Sequence, residues 1–280
     1  MQKSYKKYFA LFALPTIIAF IIAFLAPFII GIFLSFCEFT TIMDAEFVGV
    51  SNYIKIFQTK EFLDAFWFTT KFTVVSVISI NVLAFTLAYV LTRGIKGTNL
   101  FRTVYFMPNL IGGIVLGYIW QILINGVLAK FGVTITAEAK YGFWGLVILM
   151  NWQMIGYMMI IYIAGIQNIS TDVIEAAKID GANKWQALTK ITIPMVMPSV
   201  TICLFLTLTN SFKLFDQNLA LTAGAPGKST EMLGLNIYST FYGRVGWEGA
   251  GQAKAVIFFL IVALIALTQL FITRKREVEN

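Results

Sequence analysis

Residues 175–194 read EAAKIDGANKWQALTKITIP, a charged, helix-patterned stretch between two long apolar runs. The surrounding segment 170–191 is about as long as a membrane-spanning helix but carries Asp172, Glu175, Lys178, Asp180, Lys184 and Lys190. Each charge would cost roughly 2.5–3.5 kcal/mol at a bilayer centre, so the segment does not span. Asp172, with Glu175 three residues later, can form a capping box, which predicts a helix over about 172–188. Ile174, Ala177, Gly181, Trp185 and Leu188 recur at spacings of three and four and make one apolar stripe. Glu175/Lys178 and Asp180/Lys184 can pair along the polar side. Gly181 and the alanines leave little bulk, so the backbone of another protein could approach closely. Spacing alone fits equally well an amphipathic helix resting on the membrane surface.

The rest of the chain sets that stretch in its medium. Of 280 residues, 58% are hydrophobic and only 12% charged, against roughly a quarter charged in soluble domains. A core of this size cannot hide so much apolar surface from water, and lipid is the implied solvent. Histidine is absent, which removes the commonest general base and metal ligand. Cys37 and Cys203 lie in or beside different apolar runs and read as two small apolar side chains. No metal site is expected.

Six runs are long enough to cross a hydrocarbon layer of ~30 Å as helices: about Tyr8–Phe36, Phe66–Leu91, Val104–Leu123, Phe143–Ile166, Ile193–Phe212 and Ala255–Ile272. The first is far longer than the ~7–15 residues of a signal-peptide core and reads as an uncleaved span. Pro15, Pro27, Pro108, Gly112, Gly113 and Pro198 fall inside these runs, where they can mark bends or close helix approaches. The amino terminus, the loop near 92–102, the loop 170–192 and the carboxyl tail together hold 12 basic residues: Lys3, Lys6, Lys7, Arg93, Lys96, Arg102, Lys178, Lys184, Lys190, Arg274, Lys275 and Arg276. The alternate loops hold eight in longer stretches. Basic residues gather in short cytoplasmic loops, so both termini and the 175–194 stretch are expected on the cytoplasmic side of a multi-pass protein. The net charge of +7 is explained by this orientation, and nucleic acid is not an expected partner.

The order of residues within the loop is more specific than its spacing. Glu175-Ala176-Ala177, three residues, Gly181, nine residues, then Ile191-x-Ile193-Pro194 resembles the cytoplasmic loop of permeases of ATP-binding-cassette (ABC) importers, with Ile193 in place of the usual Leu. Leu188 stands where sugar permeases often carry Phe. FVGVSNYIKIF at 47–57 and LTAGAPGKST at 221–230 resemble segments of the carbohydrate-uptake subfamily, which includes the larger of the two maltose-permease-type subunits. The resemblance covers essentially the whole chain, 1–280, as one transmembrane permease domain. It implies an all-α type I importer fold of six transmembrane helices with a cytoplasmic coupling helix, in a prokaryotic cell membrane. The expected partners are a second related permease, two copies of a cytoplasmic ATPase that binds ATP and Mg, an extracellular solute-binding protein, lipid and a carbohydrate substrate. This chain itself is expected to be no enzyme and to bind no cofactor. Glu175, Ala176, Ala177, Asp180, Gly181, Ile191 and Pro194 are the residues the resemblance assigns to ATPase coupling.

TAGAPGKST has the Gly227-Lys228-Ser229 end of a phosphate-binding loop, but the required first Gly is Thr222. A Gly/Pro-rich turn is the better reading. A sugar needs amides, hydroxyls and aromatic rings, and the span interiors offer Asn81, Asn109, Tyr118, Trp120, Gln121, Asn151, Trp152, Gln153, Tyr157, Tyr162, Thr207, Asn210 and Ser211. The maltose-type resemblance selects Asn109 and Gly113, then Trp152, Gln153 and Tyr157, then Thr207 and Ser211. Gly113 replaces a hydroxyl of the maltose case, which points to a different substrate. Within the importer class, the alternatives to a carbohydrate are a polyol, glycerol-phosphate or a modified glycan. Lys213 and Asp216 suit an outer mouth or a local ion pair. An ion-coupled secondary transporter would need ionisable groups within the membrane, and these spans have almost none; Lys71 lies near an outer end. An intramembrane enzyme lacks its expected chemistry here: the sequence has no His, no Gly-x-Ser-x-Gly and no paired carboxylates at midmembrane.

Overall fold

A computed structural model describes residue 9 and residues 13–275. Tyr8, at the head of the first expected span, and the counted Lys3, Lys6, Lys7 and Arg276 lie outside the described residues. Among the described residues, twelve helices and one small ribbon follow in order: α1 Ala13–Leu34, β1 Cys37–Glu38, β2 Glu46–Phe47, α2 Ser51–Gln58, α3 Lys60–Leu91, α4 Thr98–Phe106, α5 Gly113–Leu128 and α6 Ala139–Gln167. The remainder are α7 Thr171–Ile179, α8 Lys184–Met195, α9 Met197–Phe212, α10 Asp216–Leu221, α11 Leu233–Gly243 and α12 Glu248–Arg274. Among the described residues, five helices are long and apolar enough to cross a membrane, or six if the bent pair α8–α9 is one span.

Two of the expected spans need correction. The run Val104–Leu123 is not one helix: α4 stops at Phe106, a 3-10 turn covers Met107–Leu110, and α5 restarts at Gly113. Pro108 contributes no amide hydrogen, and adjacent Gly112 and Gly113 carry the highest helix penalty after proline. Ile111 and Gly112 are accordingly extended, with ψ of 132° and 142°. The third crossing is Gly113–Phe131. The run Ile193–Phe212 is broken at Val196, and the two pieces meet at 68°.

The described residues fall into two compact units. In the first, 1–60 with 237–260, the antiparallel ribbon pairs Cys37 with Phe47 and Glu38 with Glu46. Buried Asn52, from the FVGVSNYIKIF segment, fastens α2 beneath it by donating Nδ2 to the carbonyls of Ser35 (3.1 Å) and Cys37 (2.8 Å). Phe28 of α1 meets Phe259 of α12 edge-on at 5.1 Å.

The second unit, 61–236 with 261–280, is centred on α3, α6 and α9. One buried amide ties all three. Asn81 donates to Thr207 Oγ1 at 2.9 Å and accepts from the Tyr162 hydroxyl at 2.7 Å. In lipid such bonds hold helices where apolar burial alone gives little preference. Gly156 of α6 permits the tightest crossing, since a Cβ there would sit 1.8 Å from the carbonyl oxygen of Tyr105 in α4. Gly113 and Gly117 make a small-xxx-small face on α5 that receives α10; a Cβ on Gly117 would lie 2.5 Å from that of Ala220. Cys37 and Cys203 are both buried and free of disulfide.

Candidate functional site

Two features stand out in the second unit: the loop between α6 and α9, and a polar cavity at the far end of α9. The loop is built from matched caps. α7 is started by Ser170, whose hydroxyl accepts from Asp172 N (3.3 Å); Asp172 already lies inside the helix, and the expected Asp172–Glu175 box does not form. The helix ends in a Schellman turn. Gly181 takes φ +81°, Ala182 N donates to Ala177 O (2.9 Å) and Gly181 N to Lys178 O (3.1 Å). Asn183 then caps α8 reciprocally with Gln186, both bonds 2.9 Å.

The single helix expected over 172–188 is therefore two, because the left-handed Gly181 and the Asn183 cap both favour a break. With the break between them, Asp180 and Lys184 do not pair, nor do Glu175 and Lys178 among the described residues. The stripe also divides. Ile174, Ala177 and Leu188 turn toward the chain, while Val173, Ala176, Ile179 (86% exposed), Gly181 and Trp185 (70%) face outward. A Cβ at Gly181 would meet nothing within 4 Å. This glycine is required by its backbone angle.

Of the seven coupling candidates, Glu175, Ala176, Asp180 and Gly181 are exposed, and Ala177 is buried. Ile191 and Pro194 are half-buried and belong to the elbow into α9. There the helix widens into a π turn over Leu188–Thr192, with Thr192 Oγ1 donating to Ala187 O at 3.2 Å. Pro194 and Pro198 remove two amide donors around Val196, which bends the path.

The cavity, about 310 Å³, is lined by Asn109 from the 3-10 turn, by Met150, Gln153 and Met154 of α6, by Asn210, and by residues 213–217 leading into α10. Gln217 Nε2 donates to Gln153 Oε1 at 2.8 Å, and Gln153 Nε2 to Ile111 O at 3.5 Å. Asn109 and Gln153 are thus brought together. Gly113 borders them, with no room for a Cβ against Asp216 and Gln217. Lys213 and Asp216 line the same space without forming an ion pair.

Four expected residues do not line the cavity. Trp152 is 44% exposed and packs edge-on against Trp120 at 5.6 Å. Tyr157 rests on Phe106. Thr207 is held in the Asn81 knot. Ser211 is fully buried, its hydroxyl lacking a partner among the described residues. Sequence reasoning missed Gln217, Met150 and Met154; the 150/153/154 spacing on one helix face was the available signal. Asn210 was named only among the polar residues of the spans.

The phosphate-loop look-alike is a braced turn. Asn218 donates to Thr230 O (2.8 Å) and accepts from Met232 N (2.9 Å), and Lys228 pairs with Glu61 at 3.3 Å.

The chain as a whole resembles known proteins. The family described as "Binding-protein-dependent transport system inner membrane component" matches residues 81–278. The probable starch degradation products transport system permease protein AmyD of Thermoanaerobacterium thermosulfurigenes is 47% identical over 277 residues, 96% of this chain and 94% of its own. The multiple sugar-binding transport system permease protein MsmF of Streptococcus mutans is 28% identical over 289 residues, 99% of each chain. The fold matches a chain from the crystal structure of a bacterial ABC transporter that imports the acidic polysaccharide alginate, with TM-score 0.83, 21% identity and 98% of each chain covered. A multi-pass arrangement of apolar helices and a family match over most of its length place this chain among the binding-protein-dependent transport system inner membrane components, the permease subunits of ABC importers.

Proposed function

We propose that this permease conducts a neutral carbohydrate, of the oligosaccharide class released from starch, and that Asn109, Gln153, Asn210 and Gln217 supply the polar contacts. The observation that carries the reading is the cavity's lining. Four amides present donors and acceptors together, which suits hydroxyls, while Lys213 and Asp216 cancel in charge. Phe215 adds an aromatic face. At about 310 Å³ the space is at the small end of ligand sites, and a second related permease is proposed to complete it. Kinship with the starch-product and multiple-sugar permeases supports the substrate class.

In this reading both termini are cytoplasmic, and one of two ATPases that bind ATP and Mg docks on the outward face of α7 and the Gly181 turn. An extracellular solute-binding protein delivers the sugar. Ala176, Asp180 and Gly181 lie on that face, Ala177 supports it from the buried side, Ile191 and Pro194 belong to the elbow behind it, and Glu175 points away from it. Trp152, Tyr157, Thr207 and Ser211 act on the path through packing.

The test is uptake into proteoliposomes by the assembled importer. Labelled maltooligosaccharides should enter with ATP, and Gln153→Ala should raise the half-saturating concentration about fivefold to tenfold by removing one or two hydrogen bonds. Transport of a charged or apolar solute, with none of any oligosaccharide, would overturn the substrate assignment. Lys213 in the lining favours one second reading, a phosphorylated polyol or acid-modified glycan. In that case Lys213→Gln, and not Gln153→Ala, would abolish uptake.

A further inference from the structure

The face of α7 opposite the proposed docking surface borders a second, unassigned groove of about 500 Å³. It opens where two membrane-spanning helices end, α3 at Leu91 and α6 at Gln167. Ile166 and Ile169 make its apolar floor, and Arg93, Lys178 and Lys184 reach it from three separate segments. Glu175 is the single carboxylate in the lining. None of the three cations is ion-paired among the described residues. Arg93 is held in place, stacked 4.3 Å over the Tyr89 ring and bonded to its hydroxyl.

We propose that this groove binds the phosphate headgroup of an anionic phospholipid. Three converging cations against one carboxylate leave excess positive charge that a phosphodiester would neutralise. The isoleucine floor at the helix ends suits the first carbons of acyl chains and gives no advantage to a soluble anion. Tyrosine at this level is the usual interfacial anchor. On α7, Thr171, Ile174, Glu175 and Lys178 share the groove face, whereas Val173, Ala176 and Asp180 lie on the opposite side of the helix. A lipid and a protein partner can therefore occupy the segment together. The inference is independent of the sugar assignment and of ATPase docking.

The test uses the full chain in its native assembly, in nanodiscs of phosphatidylcholine doped with phosphatidylglycerol, with bound lipid counted by native mass spectrometry. Phosphatidylglycerol should be retained over phosphatidylcholine, with about fivefold weaker retention for each cation removed in Arg93→Gln and Lys184→Gln. Glu175→Gln should shift retention the opposite way, toward tighter binding, which a misfolded variant would not do. Excess inorganic phosphate should leave the lipid in place. Equal retention of the two lipids, or no tightening in Glu175→Gln, overturns the proposal; displacement by inorganic phosphate overturns it in favour of a soluble anion.

Discussion

Asn81 and Gly156 hold α6 by opposite means. Asn81 uses both ends of its amide on α6 and α9 at once, so Asn81→Leu removes both inter-helix bonds, although Thr207 keeps its own bond to the Cys203 carbonyl. Inter-helix bonds in membrane proteins are worth about 0.6 kcal/mol each and at most about 1.7; a loss of about 1–2 kcal/mol, read as a lower unfolding midpoint in detergent, is the expected outcome. Gly156→Ala is a harsher change, because its methyl would overlap the backbone of Tyr105 and no rotamer can relieve it. It should expel α4 from its seat, measured as loss of folded, monodisperse protein. At Gly181 the obstacle is angular. Alanine there meets nothing, but φ +81° costs about 1–2 kcal/mol for an L side chain, and Gly181→Asn should be milder than Gly181→Ala in hydrogen exchange of 177–186. Sequence reasoning singled out Gly181 for its lack of bulk, whereas the structure requires it for its left-handed φ; a letter G records lack of bulk and freedom of φ alike.

Among the elements, the α7–α8 turn and the bend into α9 form a linkage. Removing the α8 cap with Asn183→Ala should cost ~1 kcal/mol and speed amide exchange at the start of α8, leaving α9 protected. Pro194→Ala restores a backbone donor near the π turn and should open the 68° bend toward a straight helix. Spin labels on α8 and α9 would report a longer separation. The crossing helices were legible because apolarity summed over about twenty residues is a strong signal. The third was displaced because the same sum does not register one missing amide at Pro108 and two glycines; α4 was counted into a span it only precedes. The helix 172–188 failed for a related reason. A three-and-four periodicity continues through a break when residues on both sides of a turn happen to keep the count.

In the molecule as a whole, burial is unevenly shared. In α6, 56% of the apolar stretch is buried, against 6% for α1 and 11% each for α5 and α12. α6 is the post against which the second unit is packed, and α1, α5 and α12 leave most of their apolar stretches unburied. The amide cavity was only half legible. Asn109 and Gln153 could be selected by type and span, but Gln217 belongs to a short helix seated on the Gly113–Gly117 face, a tertiary contact that periodicity does not encode. A double-mutant cycle of Gln153→Ala and Gln217→Ala should therefore be non-additive, since each change already breaks the 2.8 Å bond between them. Additive effects on half-saturation would separate the two residues.

The hydrogen bonds that shape the turn between α7 and α8 all run between residues 176 and 187. Its outline is thus self-contained, like a plug whose prongs are set in its own casing. Such a piece, grafted onto another channel, should keep its contour intact.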